Sequence, residues 1–119
     1  MKIYLASSFS LREKVERLSY NLENFGHTIT VKWWLKDYKE VGSREDTVWY
    51  SDPIIKGISE RNFKGIDEAD ALILVCHDEK TRKFNGANIE VGYAIAKGKK
   101  VYYFGKIERS AMYQPLDKW

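Results

Sequence analysis

Cysteine is nearly missing from this chain: Cys76 is the single one in 119 residues, and it lies inside an apolar run. One thiol excludes an internal disulfide and fits a reducing compartment. Histidine is almost as scarce. His27 and His77 stand apart, and Cys76 has no partner at ligand spacing, so no metal motif is visible and no metal is expected. There is no Walker loop and no G-x-G-x-x-G turn. Ser7-Ser8 lacks an elbow motif, and neither histidine is placed by sequence to serve it. No apolar run approaches the roughly 20 residues that span a bilayer, and a first strand starting at Lys2 leaves no leader expected. A cytoplasmic protein without membrane association is therefore the expectation. The net charge of +3 suits a phosphate-bearing ligand and falls well short of what a nucleic acid polymer calls for.

What is present is one domain's worth of alternating α/β pattern over residues 1–119. Lys2 to Ala6 reads as a buried strand that ends in the polar turn Ser7-Ser8. Ser10 and Glu13 form a capping box for a helix whose apolar face is Leu11, Val15, Leu18, Leu22 and Phe25, stopped by Gly26. His27 to Trp34 alternates and is predicted as a second strand. From Leu35 to about Ile55 turn and cap residues mix with aromatics, which predicts a partly helical, aromatic-rich cap over the strand ends. A helix follows over Ile58 to Ala69, with Ile58, Phe63, Ile66 and Ala69 as its apolar face. The continuous apolar run from Ala71 to Cys76 predicts a third strand covered on both faces. Ser110 to Trp119 reads as a tail whose terminal Trp is docked. Four Trp and eight Tyr exceed what so small a core needs, so some are expected in a pocket or an interface.

Residues 84–105 organise the rest. Asn85-Gly86 opens a helix, Glu90 is expected in its first turn, and the small residues Gly92, Ala94 and Ala96 would let it lie close on a sheet. Gly98 stops it, and Val101 to Phe104 is the fourth strand. Strands alternating with helices imply a parallel sheet, and ligands of such sheets bind beyond the carboxyl ends of the strands. Ala6 to Phe9, the stretch after Trp34, and Asn85 to Glu90 converge there. A first-turn carboxylate is favoured in its ionised form by the helix dipole. In an aromatic pocket it can attack a sugar carbon; it can equally serve helix stability alone.

Three ordered pieces carry a resemblance: Ile3-Tyr4-Leu5-Ala6-Ser7-Ser8-Phe9, then Gly65-Ile66-Asp67-Glu68-Ala69-Asp70, then Gly86-Ala87-Asn88-Ile89-Glu90-Val91-Gly92-Tyr93-Ala94 with Gly98-Lys99. Together they resemble the nucleoside 2-deoxyribosyltransferase family, whose superfamily includes the 2′-deoxynucleoside 5′-phosphate N-hydrolases. The resemblance spans most of the chain but not the insertion from Leu35 to Ile55. It implies a three-layer, flavodoxin- or Rossmann-like parallel sheet flanked by helices, a homodimer or higher homo-oligomer, and no cofactor. It implies cleavage of the N-glycosidic bond of a deoxynucleoside or its 5′-monophosphate, with Glu90 as nucleophile and Tyr4 beside it.

By the same resemblance Ser7, Ser8 and Phe9 contact sugar or phosphate, and Gly86 and Asn88 belong to the substrate site. Ser110, in Ser110-Ala111-Met112, would help hold a 5′-phosphate across a subunit boundary. Trp34, with Trp33, Trp49 and Tyr50, offers a stacking surface for a base. Two positions depart from the family. The aspartate linked to proton transfer at the base falls at Asn62, and the acid or serine ahead of the nucleophile falls at Phe84. An amide can hold a base but cannot supply a proton, which leaves Asp37, Asp46 or Asp67 as candidate acids. It also leaves a second reading open, a catalytically silent nucleotide-binding module on the same fold. A phosphoribohydrolase of the lysine-decarboxylase-like type fits less well, because its strand-to-helix turn is richer in glycine than the single Gly86.

Overall fold

The computed structural model describes residues 1–35, 53–77, 85–107 and 110–119. Five strands form one sheet: β1 (Lys2–Ala6), β2 (Thr28–Ile29), β3 (Ala71–Val75), β4 (Lys100–Phe104) and β5 (Asp117–Lys118). Their order is β2-β1-β3-β4-β5, and every pairing is parallel. The chain steps from β1 to one side for β2 and then to the other side for β3. This is the flavodoxin-type order, and its reversal point lies between β1 and β3. Among the described residues the longer helices are α1 (Arg12–Asn24), α2 (Pro53–Glu68) and α3 (Asn85–Ala96).

The central strands are covered on both faces, so they show no alternation: Ile3 to Ala6 and Ala71 to Val75 are all fully buried. Helix α1 buries Val15, Leu18, Ser19 and Leu22, one stripe at helical spacing. Phe25, predicted on that stripe, is instead the C-cap residue and is 85% exposed. The capping box is not formed either. Phe9–Leu11 is a 3-10 turn, Ser8 and Ser10 hydroxyls meet at 2.7 Å, and α1 starts only at Arg12.

Both glycine stops form as the spacing requires. Gly26 (φ +91°) donates to the Glu23 carbonyl while His27 donates to Leu22; Gly98 (φ +73°) donates to Ile95 while Lys99 donates to Ala94. Each is a Schellman closure of its helix.

The second strand is shorter than His27 to Trp34. Thr28 and Thr30 N–H donate to the carbonyls of Met1 and Ile3, which are two rungs of the ladder. The next carbonyl on β1, that of Leu5, is taken by the Trp33 indole Nε1 at 2.7 Å. A side chain has replaced the backbone rung, and the chain turns helical at 33–35.

The cap predicted between Leu35 and Ile55 falls at 36–52 outside the described residues, with Asp37, Asp46, Trp49 and Tyr50. Its last residues already belong to α2, which starts at Pro53. The tail also differs from expectation: Asp117–Lys118 adds β5 to the sheet, and Leu116 is buried. The Trp119 ring stands edge-on to Tyr102 and His27, at 5.0 and 6.0 Å. No helix among the described residues is long and apolar enough to cross a membrane.

Candidate active site

A cavity of about 430 Å³ opens beyond the carboxyl end of β1, on the side of the reversal point covered by α2 and α3. That is a size suited to a small organic ligand. From the first strand and its turn it takes Tyr4, Ser7, Ser8 and Phe9, and from α3 it takes Gly86, Ala87, Ile89 and Glu90. Helix α2 contributes Ile58, Ser59, Asn62 and Phe63, which share one helical face; Trp33 completes the lining.

Tyr4 and Glu90 meet at the base of the cavity, where the Tyr4 hydroxyl donates to Glu90 Oε2. The Tyr4 ring is fully buried in the sheet and Glu90 is half-buried. Glu90 is the sixth residue of α3, which has no acid in its first turn. The predicted help from the helix dipole is therefore weakened, since that effect fades beyond the first turn. The tyrosine hydroxyl supplies the orienting contact instead.

The approach of α2 to β1 depends on Gly65. A Cβ there would collide with Val31 Cγ2 and stand 3.3 Å from both Thr30 Oγ1 and Tyr4 Cδ2. By contrast, Gly92 has open space where a Cβ would go, and Gly92 and Ala96 are exposed. Helix α3 packs through Ala87, Val91 and Ala94 instead.

The turn after β1 is tied down from two sides. Ser7 Oγ donates to the Val75 carbonyl at 2.8 Å, which fastens the turn to the end of β3. Lys14 Nζ donates to the Cys76 carbonyl at 2.7 Å from the first turn of α1. Burial pushes the Cys76 thiol up to about 11 from its ordinary 9.0, despite the nearby Lys14 ammonium.

Aromatic rings form one wall. Phe9 and Trp33 pack edge to face at 5.6 Å, and Trp34 packs edge-on behind Trp33 at 5.5 Å. Trp34 is buried and does not line the cavity, whereas Trp33 does. Both tryptophans were expected as stacking surfaces within a strand, and the helical turn at 33–35 leaves only Trp33 of the two on the cavity.

Other predicted residues lie elsewhere. Asn88, expected at the substrate site, is exposed and does not line the cavity; its Oδ1 accepts from the Tyr113 hydroxyl at 2.7 Å. Ser110 Oγ accepts from Met112 N and caps the 3-10 turn Ala111–Tyr113, outside the cavity. Asp67 takes the Tyr93 hydroxyl at 2.7 Å, a contact that raises the Tyr93 pKa, and its backbone carbonyl takes Lys99 Nζ. Asp70 pairs by side chain and backbone with Lys2 at the start of β1. Both acids thus sit at the amino ends of the strands, opposite the cavity, and Asp67 is no candidate acid. Phe84 lies outside the described residues.

Sequence reasoning missed Arg61. Its Nε and Nη2 both donate to Asn62 Oδ1, at 3.3 and 2.9 Å. No spacing rule links residues adjacent on a helix, which point about 100° apart. Ser59 and Ile58 were findable, one turn before Asn62 and Phe63. Among the described residues no cluster of His, Cys, Asp and Glu could hold a metal ion.

No curated protein matches this sequence. Among solved structures, a 2-deoxyribosyltransferase from the psychrotolerant bacterium Bacillus psychrosaccharolyticus, described as a biocatalyst for nucleoside synthesis, superposes with a TM-score of 0.71. The two are 22% identical, and the match covers 98% of this chain and 82% of the other. At that identity the likeness speaks for the fold. The sequence itself carries the assignment: residues 3–116 match the family model of nucleoside 2-deoxyribosyltransferases, and the chain belongs to that family.

Proposed function

We propose that this protein breaks the N-glycosidic bond of a 2′-deoxynucleoside or its 5′-monophosphate, with Glu90 as the nucleophile. The observation that carries the reading is the Tyr4–Glu90 hydrogen bond at the base of an aromatic-walled cavity at the sheet's reversal point. A carboxylate held there by a buried tyrosine is oriented for attack. The family is that of nucleoside 2-deoxyribosyltransferases, and an oriented carboxylate is a group that can carry a glycosyl unit between two bases.

The Glu90 carboxylate attacks C1′ of the sugar and forms an ester. The C1′–N bond breaks, and its electron pair leaves with the base. Water or a second base then attacks C1′ and releases Glu90. Phe9 and Trp33 offer rings for the base to pack on. Ser7, Ser8 and Gly86 line the cavity, and backbone N–H groups of this turn with the Ser8 hydroxyl suit sugar or phosphate oxygens. Asn62 faces the departing base. Ser110 would reach a substrate only from a second subunit, within a homo-oligomer.

The test is base release from a panel of deoxynucleosides and their 5′-monophosphates, with and without a second free base. Release that is lost in Glu90→Ala supports the reading; no release from any member, or full activity in Glu90→Ala, ends it. Asn62 favours a second reading, a module that binds nucleotides without turnover, since an amide supplies no proton. Calorimetric binding with no base released over days would establish that one.

A further inference from the structure

Asn62, placed above against the departing base, is itself held by its neighbour Arg61. Asn62 lines the cavity, half-buried on α2. Arg61 turns its Nε/Nη2 edge onto Asn62 Oδ1 with two hydrogen bonds, of 3.3 and 2.9 Å. A guanidinium has donors and no acceptor, so only the oxygen of the amide can face it. The ambiguity between amide oxygen and nitrogen is thereby removed by chemistry. What the amide has left for a ligand is Nδ2, a donor.

We propose that Arg61 is a positioning residue that locks Asn62 as a hydrogen-bond donor toward the leaving base. This rests on the proposed function and deepens it by naming the substrate class. The cavity takes nucleosides whose base presents an acceptor, a ring nitrogen or a carbonyl oxygen, to α2. As the C1′–N bond breaks, the electron pair stays on the base. The base departs as an anion held by Asn62 Nδ2–H, and it takes its proton from water afterwards. Stabilisation by a fixed dipole replaces proton transfer. Bases that are acidic as free N–H compounds leave best from such a site, because their anions need least help.

The arrangement also changes what an acid at this position would do. In Asn62→Asp the new carboxylate lies against the Arg61 guanidinium, which favours its ionised form. It would then present an acceptor to another acceptor.

The experiment compares the wild type, Arg61→Ala, Arg61→Lys, Asn62→Asp and the double variant Arg61→Ala/Asn62→Asp. Substrates are deoxynucleosides and their 5′-monophosphates, paired with 3-deaza and 7-deaza analogues in which one acceptor nitrogen becomes C–H. The wild type should prefer the intact base over one analogue by about tenfold or more in kcat/KM. Arg61→Ala should lower that ratio severalfold, leaving the part that the poorer leaving group sets by itself, with a smaller change in Tm than in the ratio, and Arg61→Lys should restore part of it. Asn62→Asp should be slower than the wild type, and the double variant should regain activity toward acid pH.

An unchanged ratio in Arg61→Ala, or an Asn62→Asp faster than the wild type, overturns the inference while leaving the proposed function standing. If the wild type releases no base at all, the proposed function fails instead. Calorimetric affinities for free bases and their deaza analogues then decide the inference by the same ratio.

Discussion

The hydroxyl of Tyr4 and the carboxylate of Glu90 are hydrogen-bonded although they stand 86 positions apart in the chain. One projects from β1 and the other from α3, and the sheet's reversal point brings them together. The ring of Tyr4 is held by the core, so its hydroxyl has little freedom to be elsewhere.

Removing that hydroxyl separates packing from chemistry. Tyr4→Phe keeps the buried ring and loses one hydrogen bond to a charged group, a contact typically worth about 1.5–3 kcal/mol. Base release should fall about 10- to 100-fold with the fold intact by circular dichroism. Glu90→Gln should abolish release under the same assay.

Trp33→Phe should destabilise the protein by about 1–3 kcal/mol, because the Leu5 carbonyl loses its indole donor in a buried setting. The same change enlarges the cavity at Trp33 and should raise KM. Trp34→Phe, behind that wall, should leave KM much closer to the wild-type value. Urea melts and initial rates check both.

Two glycines should respond oppositely to alanine. At Gly65 the added methyl collides with Val31, so overpacking should cost roughly 1–3 kcal/mol and displace Tyr4. At Gly92 the space is open inside α3, so alanine should stabilise by roughly 0.5–1 kcal/mol. Thermal melts of the pair read out the difference in sign.

Cys76 makes stability fall in alkali. Its thiol titrates near 9.0 when unfolded and at about 11 when folded. Between those values the unfolded chain has lost a proton that the folded chain keeps, so unfolding is favoured as pH rises. The contribution is complete below pH 9 and is lost through 11, roughly 2 kcal/mol in all. The stability gap between wild type and Cys76→Ala, measured by urea melts from pH 8 to 11, should shift by that amount in favour of the variant. At pH 8 the native thiol should resist alkylation.

The order of strands and helices was legible because each element announces itself locally. Uninterrupted apolar runs at Ala71 to Val75, a helical stripe at Val15, Leu18 and Leu22, and glycines at 26 and 98 all act within a few residues. What failed also failed for local reasons. Trp33 and Trp34 alternate like strand residues, but the Trp33 indole takes a carbonyl on β1, which only the folded sheet makes available. Ser10 and Glu13 satisfy a capping pattern, yet the turn after β1 runs on as a 3-10 turn. Asp117–Lys118 has no strand signature of its own and becomes β5 because β4 offers an open edge.

The sequence by itself determined the α/β class, the pieces that place this chain in its family, and the identities of Tyr4 and Glu90. The class follows from short-range periodicity, whereas Tyr4 and Glu90 are singled out by the ordered pieces that resemble the family. Only the tertiary structure decided that Trp33 rather than Trp34 faces the cavity, that Asn88 turns to Tyr113, and that Arg61 sets the polarity of Asn62. A hydrogen-bond partner is chosen by distance and angle in space, and no spacing along the chain encodes either.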